Sequence, residues 1–307
     1  MTLVLRRTLL GTDFQNPLLL AAGTCGYGAE LNGIIDLDAL GGLVTKAVTP
    51  EPREGNPAPR VAEFAAGMIN SIGLANVGLE QFRAEKLPWL ANRLARARVL
   101  VNVAGRTVEE FVRVVRALDG EPGFVAFELN VSCPNVKEGG AFFSHREDTL
   151  AEVVAAARAA TVRPLVVKLA PNVPDVARMA VVAVEAGADA LTLSNTFPGL
   201  LFDTNTRRPV VGAGTGGVSG PAVLPMGVHA VAQTSRRVRV PIIGAGGVRT
   251  GEDVVQYLLA GASLVQIGTA SFADPRAASR VLSELKRYCA RHGVRDIAEL
   301  VGAARYD

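Results

Sequence analysis

Eight short apolar runs, separated by longer stretches with helical periodicity, constrain the fold of this 307-residue chain more than any other feature. The runs lack the polar alternation of a half-exposed strand, as expected for parallel strands covered on both faces. They span 17–22, 42–47, 99–103, 124–129, 164–169, 190–194, 241–244 and 263–268. Eight strand–helix units predict an α/β fold, a (β/α)8 TIM barrel, with 1–307 forming a single domain. An open doubly wound sheet is the alternative, which eight well-spaced units disfavour.

Local signals between the runs support this alternation. Amphipathic helices are predicted at 107–118, 148–160, 175–186 and 251–260. Thr107 and Glu110 stand three residues apart, as in a capping box at a helix N-terminus. Gly187 and Gly261 each close a helical stretch just before an apolar run, which suits the left-handed position after a helix.

Composition excludes several classes of protein. With 49% hydrophobic residues, 20% charged residues and a net charge of +3, the chain has an ordinary globular composition and no lysine–arginine block typical of nucleic-acid binding. Its three cysteines and three histidines show neither paired nor metal-ligand spacing, so neither a disulfide framework nor a metal site is predicted. The apolar stretch 18–22 is too short for a signal peptide or a membrane span, and we expect a cytoplasmic protein without membrane contact.

Two long connections break the rhythm of the units. Residues 49–79 are rich in proline, glycine and asparagine, and residues 195–225 hold five glycines between Val211 and Gly220. Connections of this length inside a compact domain are usually lids or binding loops. Both follow apolar runs, so both should lie on the C-terminal face of the barrel.

Polar side chains collect where the apolar runs end, while the interiors of the runs read as apolar. They are Lys46, Asn102, Asn130, Lys168 and Asn195. In a barrel the C-terminal ends of all strands meet on one face, which is where catalysis takes place. One lysine could simply form an ion pair at the barrel mouth. Two lysines and three asparagines on one rim indicate a bound polar ligand.

Glycines follow the last two runs, at Gly246-Gly247 and Gly268-Thr269. Barrels often bind phosphate at this place through backbone N–H groups and a short helix N-terminus, and glycine lets the backbone approach the anion closely. The alternative is a pair of tight turns without a ligand. This pattern predicts a phosphate without specifying the molecule that carries it.

Cys133 lies just after the fourth run, in the segment Asn130-Val-Ser-Cys-Pro-Asn135. Pro134 prevents strand pairing directly after the thiol and forces a loop. Asn130 and Asn135 can donate and accept hydrogen bonds on either side of it. A thiol at this position is well placed for chemistry; the alternative is a small buried cysteine beside a turn.

Several short motifs occur in order along nearly the whole chain. They are Glu54-Gly-Asn-Pro57 with Pro59-Arg60, Asn70-Ser-Ile-Gly-Leu74, Asn102-Val-Ala-Gly105, Glu128-Leu-Asn-Val-Ser-Cys-Pro-Asn135, Lys168-Leu-Ala-Pro171, Asn195-Thr196, Gly216-Gly-Val-Ser-Gly220 and Gly244-Ala-Gly-Gly-Val248. Jointly they are highly specific, and with them the chain resembles class 1 dihydroorotate dehydrogenase catalytic subunits. A cysteine at 133, where the membrane-bound class 2 has serine, also favours class 1.

The resemblance implies an FMN enzyme that oxidises (S)-dihydroorotate to orotate in pyrimidine (UMP) biosynthesis. It makes Cys133 the general base, with a hydride passing to one FMN per chain. The substrate-binding residues it implies are Lys46, Asn70, Ser71, Ile72, Gly73, Leu74, Asn130, Asn195 and Thr196. The cofactor-binding residues it implies are Ala22, Gly23, Lys46, Ala47, Asn102, Asn130, Lys168, Ser194, Gly220, Gly246, Gly247, Gly268 and Thr269. Ala22, Ala47 and Ser194 depart from the residues common at these positions, which weakens their side-chain roles.

The stretch Val136-Lys-Glu-Gly-Gly140 resembles the B-type of class 1. That type implies a homodimer within a heterotetramer, whose second subunit carries FAD and a 2Fe–2S cluster and passes electrons to NAD. The A-type, a homodimer that uses fumarate, is one alternative. Others are a different flavin barrel with a catalytic cysteine acting on a reduced pyrimidine, and a non-catalytic barrel that binds a phosphorylated metabolite.

Overall fold

Each of the eight apolar runs forms one strand of a barrel in the computed structural model, which describes residues 3–132 and 143–306. The strands along the chain are β1 (Arg7–Leu9), β2 (Thr12–Phe14), β3 (Leu18–Leu20), β4 (Gly42–Val44), β5 (Val61–Phe64), β6 (Gly67–Asn70), β7 (Arg98–Val103), β8 (Ala126–Asn130), β9 (Leu165–Lys168), β10 (Ala190–Leu193), β11 (Phe197–Gly199), β12 (Phe202–Asp203), β13 (Arg208–Pro209), β14 (Gly216–Ser219), β15 (Ile242–Ala245) and β16 (Leu264–Ile267). Around the barrel the order is β10-β15-β16-β3-β4-β7-β8-β9. Strand β10 pairs in parallel with both β9 and β15, so the sheet closes on itself and the TIM-barrel prediction is confirmed.

Helices fill most of the connections between the barrel strands. They are α1 (Gly78–Gln81), α2 (Leu87–Arg93), α3 (Val108–Leu118), α4 (Glu147–Arg158), α5 (Val176–Glu185), α6 (Leu224–Ser235), α7 (Gly251–Ala260), α8 (Ala270–Ala273) and α9 (Ala277–His292), and a π-helical turn, Phe82–Lys86, joins α1 to α2. The four predicted helices agree with α3, α4, α5 and α7 to within two residues at each end. Over the described ranges, no helix combines the length and apolar character needed to cross a membrane.

The helix ends follow the predicted signals with one difference. Gly187 and Gly261 have φ of +109° and +113°, the left-handed conformation expected there. The Thr107 hydroxyl accepts from the N–H of Glu110. The Glu110 carboxylate, however, accepts from the N–H of Arg106 at 2.8 Å, so the reciprocal half of the capping box is shifted by one residue.

The barrel interior holds a cluster of buried apolar side chains, one from each strand. They are Leu19, Val44, Leu100, Ala126, Val166, Ala190, Ile243 and Leu264. Phe14, from the β1–β2 hairpin, packs on this cluster, and the carbonyl of the neighbouring Asp13 accepts from Arg98 at the start of β7. The hairpin therefore covers the N-terminal end of the barrel, which leaves the C-terminal end for a ligand site.

The two long connections pair with each other in a four-stranded antiparallel sheet, ordered β11-β14-β6-β5. In its register Gly217 faces Asn70 and Val218 faces Ile69. The sequence predicts long connections at these places but not this sheet. The sheet brings residues about 150 positions apart together over the C-terminal face.

Candidate active site

A cleft of about 620 Å³ opens at the C-terminal ends of the barrel strands, beneath the antiparallel sheet. Most of the site residues predicted from the sequence line it. They are Ala22, Gly23, Lys46, Ala47, Asn70, Ile72, Gly73, Leu74, Asn102, Asn130, Lys168, Ser194, Asn195, Thr196, Gly220, Gly246, Gly247, Gly268 and Thr269. The barrel brings them together because the ends of parallel strands meet on one face.

Two predicted residues are not seen in this lining. Ser71 is fully buried behind the wall, where its hydroxyl accepts from Asn56 at 2.8 Å and its backbone N–H donates to the carbonyl of Arg60 at 2.8 Å. Cys133 lies outside the described residues, so its predicted role as general base stays a prediction.

Carboxamides from three elements form one wall of the cleft. Asn195 donates through Nδ2 to Asn130 Oδ1 at 3.2 Å and to the Ser132 hydroxyl at 2.8 Å, which ties the end of β8 to the end of β10. Asn70 donates to the carbonyl of Gly217 at 3.1 Å and is thereby fixed within the antiparallel sheet. Asn130 Nδ2 and Asn70 Oδ1 have no partner among the described residues, so the wall keeps one donor and one acceptor for a ligand.

Two lysines provide positive charge. Lys168, the last residue of β9, is buried with 6% of its surface exposed, and Lys46 is half-buried just beyond β4. Within the described part of the chain, neither ammonium group makes a hydrogen bond or an ion pair. Burial lowers the pKa of Lys46; Glu30 opposes this shift, and Arg60 adds to it. An unpaired buried cation is costly, so the cleft favours an anionic or electron-rich ligand.

A polar layer lies inside the barrel directly above the apolar cluster, which corrects the expectation that the strand interiors are apolar. The carboxylate of Glu128 on β8 accepts from Asn102 at 2.8 Å, from Thr192 at 2.7 Å and from Gln266 at 2.8 Å. Glu128 sits two residues after Ala126 on the same inward face. Sequence reasoning missed Gln266 in the cleft lining and missed Glu128 and Thr192 in the layer behind it, although a single polar residue inside each apolar run was a usable signal.

Two buried acceptors in this layer have no hydrogen-bond partner among the residues that the structure describes. They are Oδ1 of Asn102 and Oε1 of Gln266, and both side chains line the cleft. A buried acceptor without a donor costs about 1–3 kcal/mol. The floor of the cleft therefore suits a ligand that carries an N–H or O–H donor.

The glycines after β15 and β16 form the opposite end of the cleft. Gly246 and Gly247 have φ of +120° and +78°, and a Cβ on Gly247 would lie 2.6 Å from the backbone nitrogen of Leu224. The N–H groups of Gly246, Gly247, Gly268 and Thr269 donate to no acceptor among the described residues. Free N–H groups, three of them on glycines that let the backbone approach an anion closely, suit a phosphate.

Known proteins resemble this chain over nearly its whole length. The family model described as dihydroorotate dehydrogenase matches residues 4–289. The chain is 51% identical over 306 residues, and over the full length of both proteins, to the putative dihydroorotate dehydrogenase A (fumarate) of Solibacter usitatus. It is 45% identical over 295 residues, 96% of each protein, to the catalytic subunit of dihydroorotate dehydrogenase B (NAD(+)) of Geobacter sulfurreducens.

A solved structure agrees with these sequence relationships. The structure of DHODH in complex with ferulenol from Eimeria tenella superposes with a TM-score of 0.81 at 26% identity, covering 97% of this chain and 88% of that one. Three findings point to the same family: a relative identical at about half of the positions over the full length, the match over 4–289 and the shared barrel. The chain belongs to the dihydroorotate dehydrogenase family.

Proposed function

We propose that this chain is an FMN-dependent oxidoreductase that converts (S)-dihydroorotate to orotate in pyrimidine (UMP) biosynthesis. Its family membership supports the reaction. One observation carries the proposal: a single continuous cleft joins two lysines, several amide groups and a row of backbone N–H groups that have no partner within 3–132 and 143–306. That set of groups suits a phosphate-bearing flavin next to a flat, anionic, imide-like substrate.

The family binds FMN, and the residues of the cleft fit this cofactor. The free N–H groups at the glycine-rich end suit its phosphate, and the orphaned oxygens of Asn102 and Gln266 suit the polar edge of its ring. Lys168 would add positive charge close to that edge. The remaining contacts are proposed for Ala22, Gly23, Ala47, Ser194 and Gly220, through the backbone at the two alanines. When bound, FMN supplies the hydride acceptor of the reaction.

The substrate is proposed to lie between Lys46 and the carboxamide wall. A protonated Lys46 attracts the substrate carboxylate, while Asn70, Asn130, Asn195 and Thr196 read the polar edge of its ring. The segment 71–74 completes this wall, with Ser71 holding it from behind through its hydrogen bond with Asn56. Fixed carboxamides and a cation also stabilise the negative charge that develops when a proton leaves next to a carbonyl.

Cys133 is proposed as the general base. It would take the proton from ring carbon five of dihydroorotate while carbon six gives up its hydride to the cofactor, so that one carbon–carbon double bond forms. Cys133 follows Asn130, a residue of the cleft wall, by three positions in the sequence. A cysteine near neutral pKa is a competent base for such a proton.

The electron acceptor is proposed to be NAD, reached through a second subunit that carries FAD and a 2Fe–2S cluster, in a heterotetramer built on a homodimer of this chain. The name of the Geobacter relative supports this assignment, because it is the catalytic subunit of an NAD-linked enzyme. The name of the Solibacter relative supports direct use of fumarate instead. In either case residues 1–307 are proposed to act as one FMN-binding domain.

Anaerobic mixing with dihydroorotate tests the proposal. The purified chain should carry yellow flavin that bleaches within a turnover, with orotate formed in equal amount. Reoxidation by fumarate alone would assign the A-type, and reoxidation that requires NAD and the partner subunit would assign the B-type. Bound flavin that stays yellow would refute the substrate, and a chain without flavin would refute the redox function.

A further inference from the structure

Glu128 is a buried carboxylate inside the barrel with no counter-ion. Its surface is fully buried, and within the described ranges no cationic nitrogen lies within 4.0 Å of it. Its three partners, Asn102, Thr192 and Gln266, come from three other strands. Burying a charge is expensive, and an apolar side chain would fill the same place in an ordinary barrel core. The carboxylate therefore requires an explanation beyond packing.

The carboxylate fixes the orientation of two side-chain amide groups. All three neighbours donate to the oxygens of Glu128, so both amides present their NH2 groups to it. Asn102 does so through Nδ2 to Oε1, and Gln266 does so through Nε2 to Oε2, both at 2.8 Å. Each amide group is planar, so when its NH2 group faces Glu128 its carbonyl oxygen is directed to the other side. Those two oxygens are the orphaned acceptors at the floor of the cleft.

We propose that Glu128 is a positioning residue that makes the cleft floor an acceptor surface for the ring N–H of the flavin. The inference rests on the proposed function, because it assumes that a flavin occupies the cleft. The oxidised flavin ring carries one N–H, at N3, between two carbonyl groups. With Glu128 in place, at least one of the amide oxygens accepts from this N–H. With a group at 128 that can donate, the amides are free to turn and offer NH2 groups instead.

Glu128→Gln tests this role, because glutamine keeps the shape but loses the acceptor-only character. The measurement is the dissociation constant of apoprotein for FMN and for 3-deaza-FMN, which has a C–H of the same size in place of the N3–H, followed by quenching of flavin fluorescence. The wild type should bind FMN more tightly than the deaza analogue by about tenfold, the worth of one hydrogen bond. In Glu128→Gln this preference should fall to about twofold or less, through weaker FMN binding.

Thr192→Val is the matched control. It removes one donor from the same carboxylate but turns no amide, so the preference for FMN should stay as in the wild type. Gln266→Met gives a second test that leaves Glu128 intact, and loss of one acceptor oxygen should reduce the preference. It also decides the matter if Glu128→Gln does not fold.

The outcomes separate the inference from the function on which it rests. An undiminished preference for FMN in both Glu128→Gln and Gln266→Met would overturn the positioning role while leaving the enzyme assignment intact. Equal weakening for both flavins would also overturn it, because a purely structural residue would act in that way. Failure of the wild type to bind either flavin would refute the proposed function, and this inference with it.

Discussion

Tyr257 should control the phosphate end of the cleft through a single hydrogen bond. Its side chain projects from α7, is fully buried, and donates through its hydroxyl to the carbonyl of Gly246 at 2.8 Å. A Cβ at Gly227 would lie 2.0 Å from that hydroxyl, and a Cβ at Gly244 would lie 2.3 Å from the ring. The two glycines therefore form a slot that admits the tyrosine beneath the loop.

Removal of the hydroxyl in Tyr257→Phe should weaken FMN binding by about tenfold. The Gly246 carbonyl would lose its partner in a buried place, at a cost of about 1–3 kcal/mol. The loop holds two residues with positive φ, so an unanchored loop has other conformations to adopt. If about 1.4 kcal/mol of the lost stabilisation appears as reorganisation on binding, the dissociation constant rises tenfold. Burial raises the pKa of Tyr257, so the hydroxyl remains a donor at any working pH.

The assay compares FMN with riboflavin, which has the same ring and no phosphate. Tyr257→Phe should weaken FMN binding and leave riboflavin binding within about twofold of the wild type, because only the phosphate is proposed to contact the loop. Tyr288→Phe, on α9 and stacked against His292, is the matched control and should change neither constant. Unchanged FMN binding, or an equal loss for both flavins, would refute the reasoning.

Four further variants test other parts of the site and the core. Cys133→Ala should retain bound flavin but nearly abolish its reduction by dihydroorotate at neutral pH, and wild-type turnover would contradict the role of base. Lys46→Ala should weaken the binding of both FMN and orotate. Glu30→Gln removes a negative charge that raises the pKa of Lys46, so the loss of orotate binding at alkaline pH should move to lower pH. A pH profile of orotate binding that does not move would contradict this coupling between Glu30 and Lys46. Phe111→Ala should lower the free energy of unfolding by about 3–5 kcal/mol in a denaturant titration, because this ring is fully buried between α3 and the barrel; a loss below about 1 kcal/mol would show that the site repacks.

The barrel was predictable because both faces of its strands are covered. Continuous apolar runs mark such strands without reference to their partners, and closure followed from the number of units. The polar rim was predictable as well, because the polar residues that end the runs mark the C-terminal ends of the strands. The runs did not show which residues face the barrel interior. Glu128 and Gln266 each stand alone among apolar neighbours in the sequence. Only the closed barrel shows that Gln266 Nε2 lies 2.8 Å from Glu128 Oε2.

The antiparallel sheet over the cleft was not predictable, since the glycines that mark it also suit a loop. A Cβ on Gly216 would lie 2.4 Å from the carbonyl oxygen of Asn70, and one on Gly217 would lie 2.0 Å from the hydroxyl of Thr196. These glycines thus permit close approach between strands rather than flexibility. Because Asn70 and Thr196 are both proposed to contact the substrate, the close packing fixes their separation before the substrate arrives. If the substrate binds as proposed, it meets a preorganised wall, and its recognition does not require the long connections to fold around it.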